Sequence, residues 1–251
     1  MDLGIEGRRA VVAGSSAGLG FASASALAAA GARVVICGRD VGRLDAAVAR
    51  LRDDGRDVVG VVADVGSADG ATRYIAAATE VLGGIDILVP NAGGPPPGTF
   101  ASTELDAYLP ALELNLLSTV AMCKAAVPPM VDRGWGRVCA ITSISVRQPI
   151  DVLILSNTAR AGVTGFLKTL ATEVAPRGVT VNSVLPGTHA TDRLASIHGG
   201  DLSAAAAAVP AGVVGRPEDF GQVVAFLCSD QARFITGVAL QVDGGASRAL
   251  L

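Results

Sequence analysis

The sequence predicts an α/β fold in which one doubly wound, seven-stranded parallel sheet carries helices on both faces. Three observations predict it. Seven short runs rich in β-branched residues alternate with helix-like segments along the 251 residues. The runs are apolar throughout rather than alternating, the pattern of strands buried on both faces of a parallel sheet. A glycine-rich turn stands between the first run and the first helical segment. Half of the residues are apolar, enough for a sizeable core in a chain of this length. Repeated β-α units wind with right-handed crossovers and place ligand sites beyond the carboxyl ends of the strands.

Taken in order, RRAVVAG (8–14) is a short strand ending at glycine, and residues 18–30 are small and helical. ARVVICG (32–38) is the second strand, followed by an amphipathic helix over Val41–Arg52. DVVGVVAD (57–64) is the third, with a helix over 67–82, and IDILVPN (85–91) is the fourth. A long helical region covers about 103–133, where Pro128–Pro129 mark a bend or stop. GRVCAITS (136–143) is the fifth strand. LILSNTARAGVTGF (153–166) opens a helix in which Ser156, Asn157 and Thr158 are cap formers. VTVNSVLPG (179–187), a helix at about 217–228 and VALQVDGG (238–245) complete the pattern. Between them, residues 192–214 are polar and alanine-rich. Ala204–Ala208 is helix-compatible rather than a linker, and His198 with Gly199–Gly200 suggests flexibility. No linker is long enough to divide the chain, so a single domain spanning 1–251 is expected.

Composition excludes several classes. A formal charge of −3 argues against nucleic acid, whose phosphates need a basic face. No run of 18 apolar residues occurs and the N-terminus, MDLGIEGRR, lacks a signal-peptide pattern, so no membrane partner and a cytoplasmic location are expected. Cys37, Cys123, Cys139 and Cys228 are scattered in apolar contexts and read as buried free thiols. With only His189 and His198 and no carboxylate cluster beside them, no metal site is expected. The GxSxG elbow of a serine hydrolase is missing.

GSSAGLG (14–20) follows the first strand and opens a helix. Gly14 ends the strand in a tight turn, while Gly18 and Gly20 allow backbone to approach a pyrophosphate and the helix to pack on the sheet. The free N–H groups and partial positive charge of the helix N-terminus suit an anion. The spacing is G-x3-G-x-G, and its place between the first strand and the first helix is what makes it specific.

Nearly end to end, the chain resembles the classical short-chain dehydrogenase/reductases, in particular the 3-oxoacyl-acyl-carrier-protein reductase type. The segments that carry the resemblance are GSSAGLG (14–20), ADV (63–65), NAGG (91–94), LNLLS (114–118), ITSIS (141–145), LPGTHAT (185–191) and GRPEDFGQVVAFLCSD with ITGVALQVDGG (215–245). The resemblance implies a single-domain Rossmann fold and a nicotinamide dinucleotide. It implies that Gly14, Ser16, Gly18, Leu19 and Gly20 cradle the phosphates and that Asp64 and Val65 contact the adenine. Asn91, Ala92 and Gly93 would line the adenosine ribose, Pro186, Gly187 and Thr188 the nicotinamide, and Thr191 the phosphates. Asn91 also reads as a turn former after a strand, and Asp64 as a cap or turn aspartate. Where NAD-preferring relatives tend to carry an acid at the end of the second strand, this chain has Gly38. Arg39 then offers a forked cation to a 2′-phosphate, which favours NADP over NAD. Arg39 also reads as a solvated strand-end residue, or as a partner of Asp40.

The family's active site combines an asparagine, a serine, a tyrosine and a lysine. Asn115 and Ser143 fit the first two positions. The expected tyrosine is Ser156 and the expected lysine is Arg160; Tyr74 and Tyr108, the only tyrosines, lie well upstream. A serine hydroxyl is a far weaker acid than a phenol near pKa 10, and arginine stays charged. Ser156 also reads as a helix cap and Arg160 as a surface cation. Asp151, Arg147, Gln148 and His189 are further candidates for site walls or substitute acids, and Tyr108 for the cleft or for helix packing. Three functions compete: an NADP(H)-dependent oxidoreductase acting on a small carbonyl or alcohol with an altered proton path, a nucleotide-binding protein without turnover, and a non-redox enzyme on the same fold. By resemblance the 192–214 segment covers the substrate, and the chain forms a homo-oligomer, tetramer or dimer, through about 103–133, 156–175 and 238–251.

Overall fold

The computed structural model describes residues 2–53, 55–197 and 201–250. Seven parallel strands form one sheet: β1 (Arg9–Val12), β2 (Arg33–Gly38), β3 (Val58–Val62), β4 (Ile87–Val89), β5 (Gly136–Ile141), β6 (Val179–Pro186) and β7 (Ala239–Val242). Their order across the sheet is β3-β2-β1-β4-β5-β6-β7. The chain first winds outward from β1 to β3, then returns to β4 on the other side of β1. The reversal between β1 and β4 leaves a crevice at their carboxyl ends, where doubly wound sheets bind ligands.

One face carries α1 (Gly18–Ala29), α2 (Val41–Arg52) and a C-terminal helix at Pro217–Leu227. The other carries α3 (Ala68–Leu82) and the helices that follow β4 and β5. Each face has its own core. Val12, Ile36, Leu27, Leu44 and Phe220 pack on one side, and Val11, Leu88, Tyr74, Met122 and Val181 on the other. Adjacent residues of a strand thus feed opposite cores, which is why the strands are apolar without alternation. Small side chains bring α1 and the C-terminal helix into backbone contact: a Cβ on Gly221 would overlap the Ala22 carbonyl. Polar caps set other helix starts, Asp40 accepting from Arg43 N for α2 and Ser67 from Gly70 N for α3.

The expected long helix over 103–133 is interrupted. Two 3₁₀ turns (Phe100–Ser102 and Leu105–Ala107) precede α4 (Tyr108–Leu112), a π-helical turn (Glu113–Leu117) and α5 (Ser118–Arg133). Pro128 and Pro129 do not stop α5, which runs on to Arg133 and ends at Gly134. The prolines remove two backbone donors from the ladder of α5, and the helix continues because Val127 and Met130 anchor it in the core. Leu105–Arg133 is long and apolar enough to meet the length and hydropathy criteria for a membrane span. In this fold it packs against α3 and the helix after β5 as a core element. After β5 comes α6 (Ile154–Val174), and residues 192–214 contain α7 (Asp192–Ile197) and α8 (Ser203–Ala207), with α9 (Pro217–Leu227) beyond them. The flexibility expected at His198–Gly200 falls outside the described residues.

At the amino ends of the central strands β1 and β4, Arg9 grips Asp86 through Nε at 2.8 Å and Nη2 at 2.7 Å, and Arg133 stands 3.4 Å away. Burial alone would raise the Asp86 pKa. The Arg9 hydrogen bonds and then the charges of Arg9 and Arg133 outweigh it and hold the carboxyl below its ordinary value. A lowered folded-state pKa contributes stability that is fully present above the unfolded value near ~3.9 and is lost as pH falls through the folded value. Asp86→Asn should therefore cost about 1–3 kcal/mol at pH 7, less than a sealed pair because Arg9 is partly exposed. The gap between urea melts of the two proteins should shrink only as pH falls below the ordinary carboxyl value, through the depressed folded one; a gap that stays constant with pH would reject this account.

Candidate active site

The glycine turn is built by contacts from three strands. Ser15 Oγ donates to Val12 O at 2.6 Å and accepts from Cys37 N at 2.9 Å, locking the turn onto β2. Gly14 adopts φ +54°, a conformation side chains disfavour. Asn91, directly after β4, donates from Nδ2 to Gly14 O at 3.0 Å, so this residue braces the loop rather than only turning the chain. A Cβ on Gly20 would overlap the Gly14 carbonyl and lie 2.9 Å from Asn91 Nδ2. Helix α1 begins at Gly18 with Ala17 at its N-cap and no side-chain cap. The leading N–H groups of Gly18, Leu19 and Gly20 therefore face the crevice without a competing side chain, which fits a pyrophosphate. Thr191 lies against Gly18, its Cγ2 3.6 Å from where a Cβ would stand.

A cleft of about 560 Å³ continues from this loop past the ends of β2 and β3, lined by Ser16, Gly38, Arg39, Asp64, Val65 and Gly93. Ala92 borders it as well. Arg39 does not pair with Asp40, which is occupied as the α2 cap. Instead Arg39 Nη1 stands 3.8 Å from Asp64 Oδ2, with both side chains largely exposed. Such a pair is weak and exchangeable. Asp64 does not cap α3; its Oδ1 accepts from Gly66 N at 2.9 Å and turns the chain. A Cβ on Gly38 would lie 2.8 Å from Ser16 Oγ, so glycine here keeps that hydroxyl at the cleft. Sequence reasoning missed Arg43, which lines the same cleft from the first turn of α2. The available signal was its place in the first turn of the helix that follows the second strand.

The remaining candidates meet at the end of β5. Asn115 sits in the π-helical turn, a feature frequent at functional sites. Its Nδ2 donates to Gly93 O at 2.8 Å, while its Oδ1 is buried with no partner among the described residues. Ser143 lies two residues past β5 and accepts from Ser145 N at 3.1 Å. Ser156, Asn157 and Thr158 do not cap α6, because the helix starts two residues before Ser156. Leu153 holds the cap position, where backbone pairing with Gly98 takes over: Gly98 N donates to Val152 O at 2.8 Å and Ile154 N to Gly98 O at 3.2 Å. Asn157 instead ties the preceding loop by donating to Ile150 O at 2.9 Å. Ser156 is 7% exposed and its hydroxyl makes no hydrogen bond among the described residues. Arg160 is no surface cation: it is 8% exposed and its Nη1 donates to Ile141 O at 3.3 Å. One helical turn separates Ser156 from Arg160, so the two side chains share a face of α6 beside Ile141–Ser143.

The β6 end closes the site. Gly187 N donates to Val242 O at 3.0 Å and Thr188 O accepts from Gly215 N at 3.0 Å, holding the Pro186–Thr188 segment open toward the crevice. The tyrosines and the other candidates for site walls or substitute acids differ in placement. Tyr74 is fully buried and donates to Val12 O and Val35 O; burial pushes its pKa well up. His189 packs edge-on to Phe220 at 5.2 Å, with Nδ1 3.2 Å from Gly187 O; burial lowers its pKa. Arg147, Gln148 and Asp151 are exposed, and Tyr108 is half-buried on α4. All four cysteines are free and buried, and no group of three metal-ligating side chains occurs among the described residues.

Fold and site define a dinucleotide-binding oxidoreductase of the doubly wound α/β class. Comparison with known proteins agrees: residues 13–247 match the family described as Enoyl-(Acyl carrier protein) reductase. The 3-oxoacyl-[acyl-carrier-protein] reductase of Vibrio cholerae is 37% identical over 171 residues, which cover 68% of this chain and 70% of that protein. The crystal structure of L-sorbose reductase from Gluconobacter frateurii, complexed with NADPH and L-sorbose, superposes over 100% of both chains with a TM-score of 0.93 and 34% identity. A short chain oxidoreductase from Pseudomonas aeruginosa PAO1, described as NADPH bound and containing an atypical catalytic center, is 32% identical with a TM-score of 0.89, over 97% of this chain and 99% of that one. The chain belongs to the short-chain dehydrogenase/reductase family and is an oxidoreductase of that family.

Proposed function

We propose that the protein is a cytoplasmic NADP(H)-dependent reductase or dehydrogenase of a small carbonyl or alcohol, working with Ser156 and Arg160 where the family uses tyrosine and lysine. The observation that carries the cofactor choice is the end of β2. Gly38 brings no carboxylate, and Arg39 and Arg43 border the same cleft. A 2′-phosphate would draw Arg39 from its weak, solvent-exposed pairing with Asp64, giving a charge-assisted fork in exchange. When bound, the nicotinamide supplies or accepts the hydride equivalent. Gly14, Ser16, Gly18, Leu19, Gly20 and Thr191 hold the phosphates, Asp64 and Val65 the adenine, Asn91, Ala92 and Gly93 the adenosine ribose, and Pro186, Gly187 and Thr188 the nicotinamide. Ser143 hydrogen-bonds the substrate oxygen. Arg160 places a permanent positive charge beside it and hydrogen-bonds the ribose, but moves no proton. Asn115 Oδ1, buried without a partner, is the acceptor through which solvent joins the site. Substrate orientation and oxygen polarisation survive the loss of the phenol; general acid catalysis, about 10²–10⁴-fold, is what the site forgoes.

Titration calorimetry on the intact protein tests this reading. NADPH should bind at least tenfold more tightly than NADH, and Arg39→Ala should weaken NADPH about tenfold while leaving NADH within twofold. No uptake of either nucleotide would end the proposal. Ser156, a far weaker acid than the phenol it replaces, favours a second reading: a nucleotide-binding protein without turnover. Tight NADPH binding with no oxidation at 340 nm across a broad carbonyl panel would select it. The oligomer we expect is a dimer or tetramer, supported by the exposed apolar side chains of Phe100, Leu105 and Leu109 and by the unpaired edge of β7.

A further inference from the structure

Three substrate-side elements of this fold are held by one segment that the catalytic reading does not use. After β7 the chain makes a tight turn at Gly244–Gly245 and runs back across the end of the sheet. Asp243 builds the turn: its Oδ1 accepts from Gly245 N at 3.0 Å and its Oδ2 from Ser247 N at 2.9 Å. The turn carries the far end of the 192–214 segment. Ala211 N donates to Gly244 O at 3.0 Å, and the Gly244 backbone sits so close to Val209 that a Cβ would lie 2.6 Å from Val209 Cγ1. Val209 itself is buried there. The strand leading into the turn carries the nicotinamide segment, through Gly187 N to Val242 O and the packing of Gly187 on Asp243. Three residues past the turn, Arg248 N donates to Gln148 Oε1 at 2.8 Å, reaching the loop that follows Ser143.

We propose that Asp243–Arg248 is a strap that sets the 203–214 segment against the Ser143 loop, and that Gln148 is the positioning residue that anchors it. The assignment rests on reading the cleft as a carbonyl site. Its chemistry is geometric: Gln148 touches no reacting atom and acts by holding the C-terminal strap, and through Gly244 the Val209–Gly212 turn, at one distance from Ser143. The acceptor oxygen is the part that matters. Glutamate keeps it and methionine, of similar length, lacks it.

Hydrogen exchange on the ligand-free, full-length protein tests the strap, and steady-state kinetics with NADPH and ethyl acetoacetate tests the positioning. Gln148→Met should speed exchange at Ala211 and Arg248 at least fivefold. It should raise KM for ethyl acetoacetate three- to tenfold, with kcat and NADPH affinity within twofold. Gln148→Glu should match the natural chain in both measurements. Deleting residues 248–251 should reproduce the Gln148→Met effect on exchange at Ala211 and on KM, and combining the two should add nothing. Unchanged exchange at Ala211, or a kinetic change that Gln148→Glu shares, overturns the proposal. Failure of the cofactor reading shows separately, as no NADPH uptake in calorimetry, because the exchange arm requires no cofactor.

Discussion

A Ser156→Tyr, Arg160→Lys double variant should reduce simple ketones faster than the natural chain, by up to about 10²–10⁴-fold, the usual worth of a positioned general acid. The two positions share one face of α6 beside the β5 end, so a phenol there would reach toward the oxygen that Ser143 is placed to polarise. The paired change matters. A phenol protonates the substrate oxygen, and an amine on a flexible stem can release the Ile141 carbonyl that the Arg160 guanidinium now engages. Arg160→Lys alone should gain nothing, because no acid is added. Ser156 is 7% exposed, so the ring must be accommodated beside the Gly98–Leu153 pairing. Circular dichroism and NADPH binding would establish that the variant is folded, and oxidation at 340 nm would read the gain. A folded, cofactor-binding double variant with unchanged turnover would refute the lost-acid account.

Gly20→Ala should be the most damaging single methyl group in the chain's nucleotide site. Its Cβ would overlap the Gly14 carbonyl and press Asn91 Nδ2, so the loop must separate from the strand or the helix from the loop. Overpacking of this kind costs about 1–3 kcal/mol, occasionally more. In a chain of this size that is a fall in Tm of roughly 3–10 °C. NADPH affinity should drop more than tenfold, because the helix N–H groups no longer converge on one point. Thermal melts and calorimetry read the two effects together. A stable variant that binds NADPH normally would mean that the loop has slack which its packing does not show.

Seven apolar runs separated by helix patterns were enough to place each strand to within a few residues, because short β-branched runs that end at glycine or polar turns are too short for buried helices. The interrupted region before α5 was not legible in the same way. A π-helical turn differs from an α-helix by one hydrogen-bond step, and residues Glu113–Leu117 suit either. Ser156, Asn157 and Thr158 misled for a related reason. Cap-forming side chains are a local signal, and the backbone pairing of Gly98 with Leu153, a long-range contact, started the helix two residues earlier. Arg39 shows the same limit: Asp40 is its neighbour in sequence, yet Asp64 is its neighbour in space.

What the sequence determined by itself was the order of strands and helices, the glycine turn, and the replacement of the expected tyrosine and lysine, since each is written in residues close together along the chain. Only the tertiary structure decided that Ser156 and Arg160 are buried, that Arg43 joins Arg39 at the cleft, and that the C-terminal turn ties Gln148 to Ala211. Burial and partnership depend on which segments the sheet brings together, and a parallel sheet brings together segments that lie far apart in the chain.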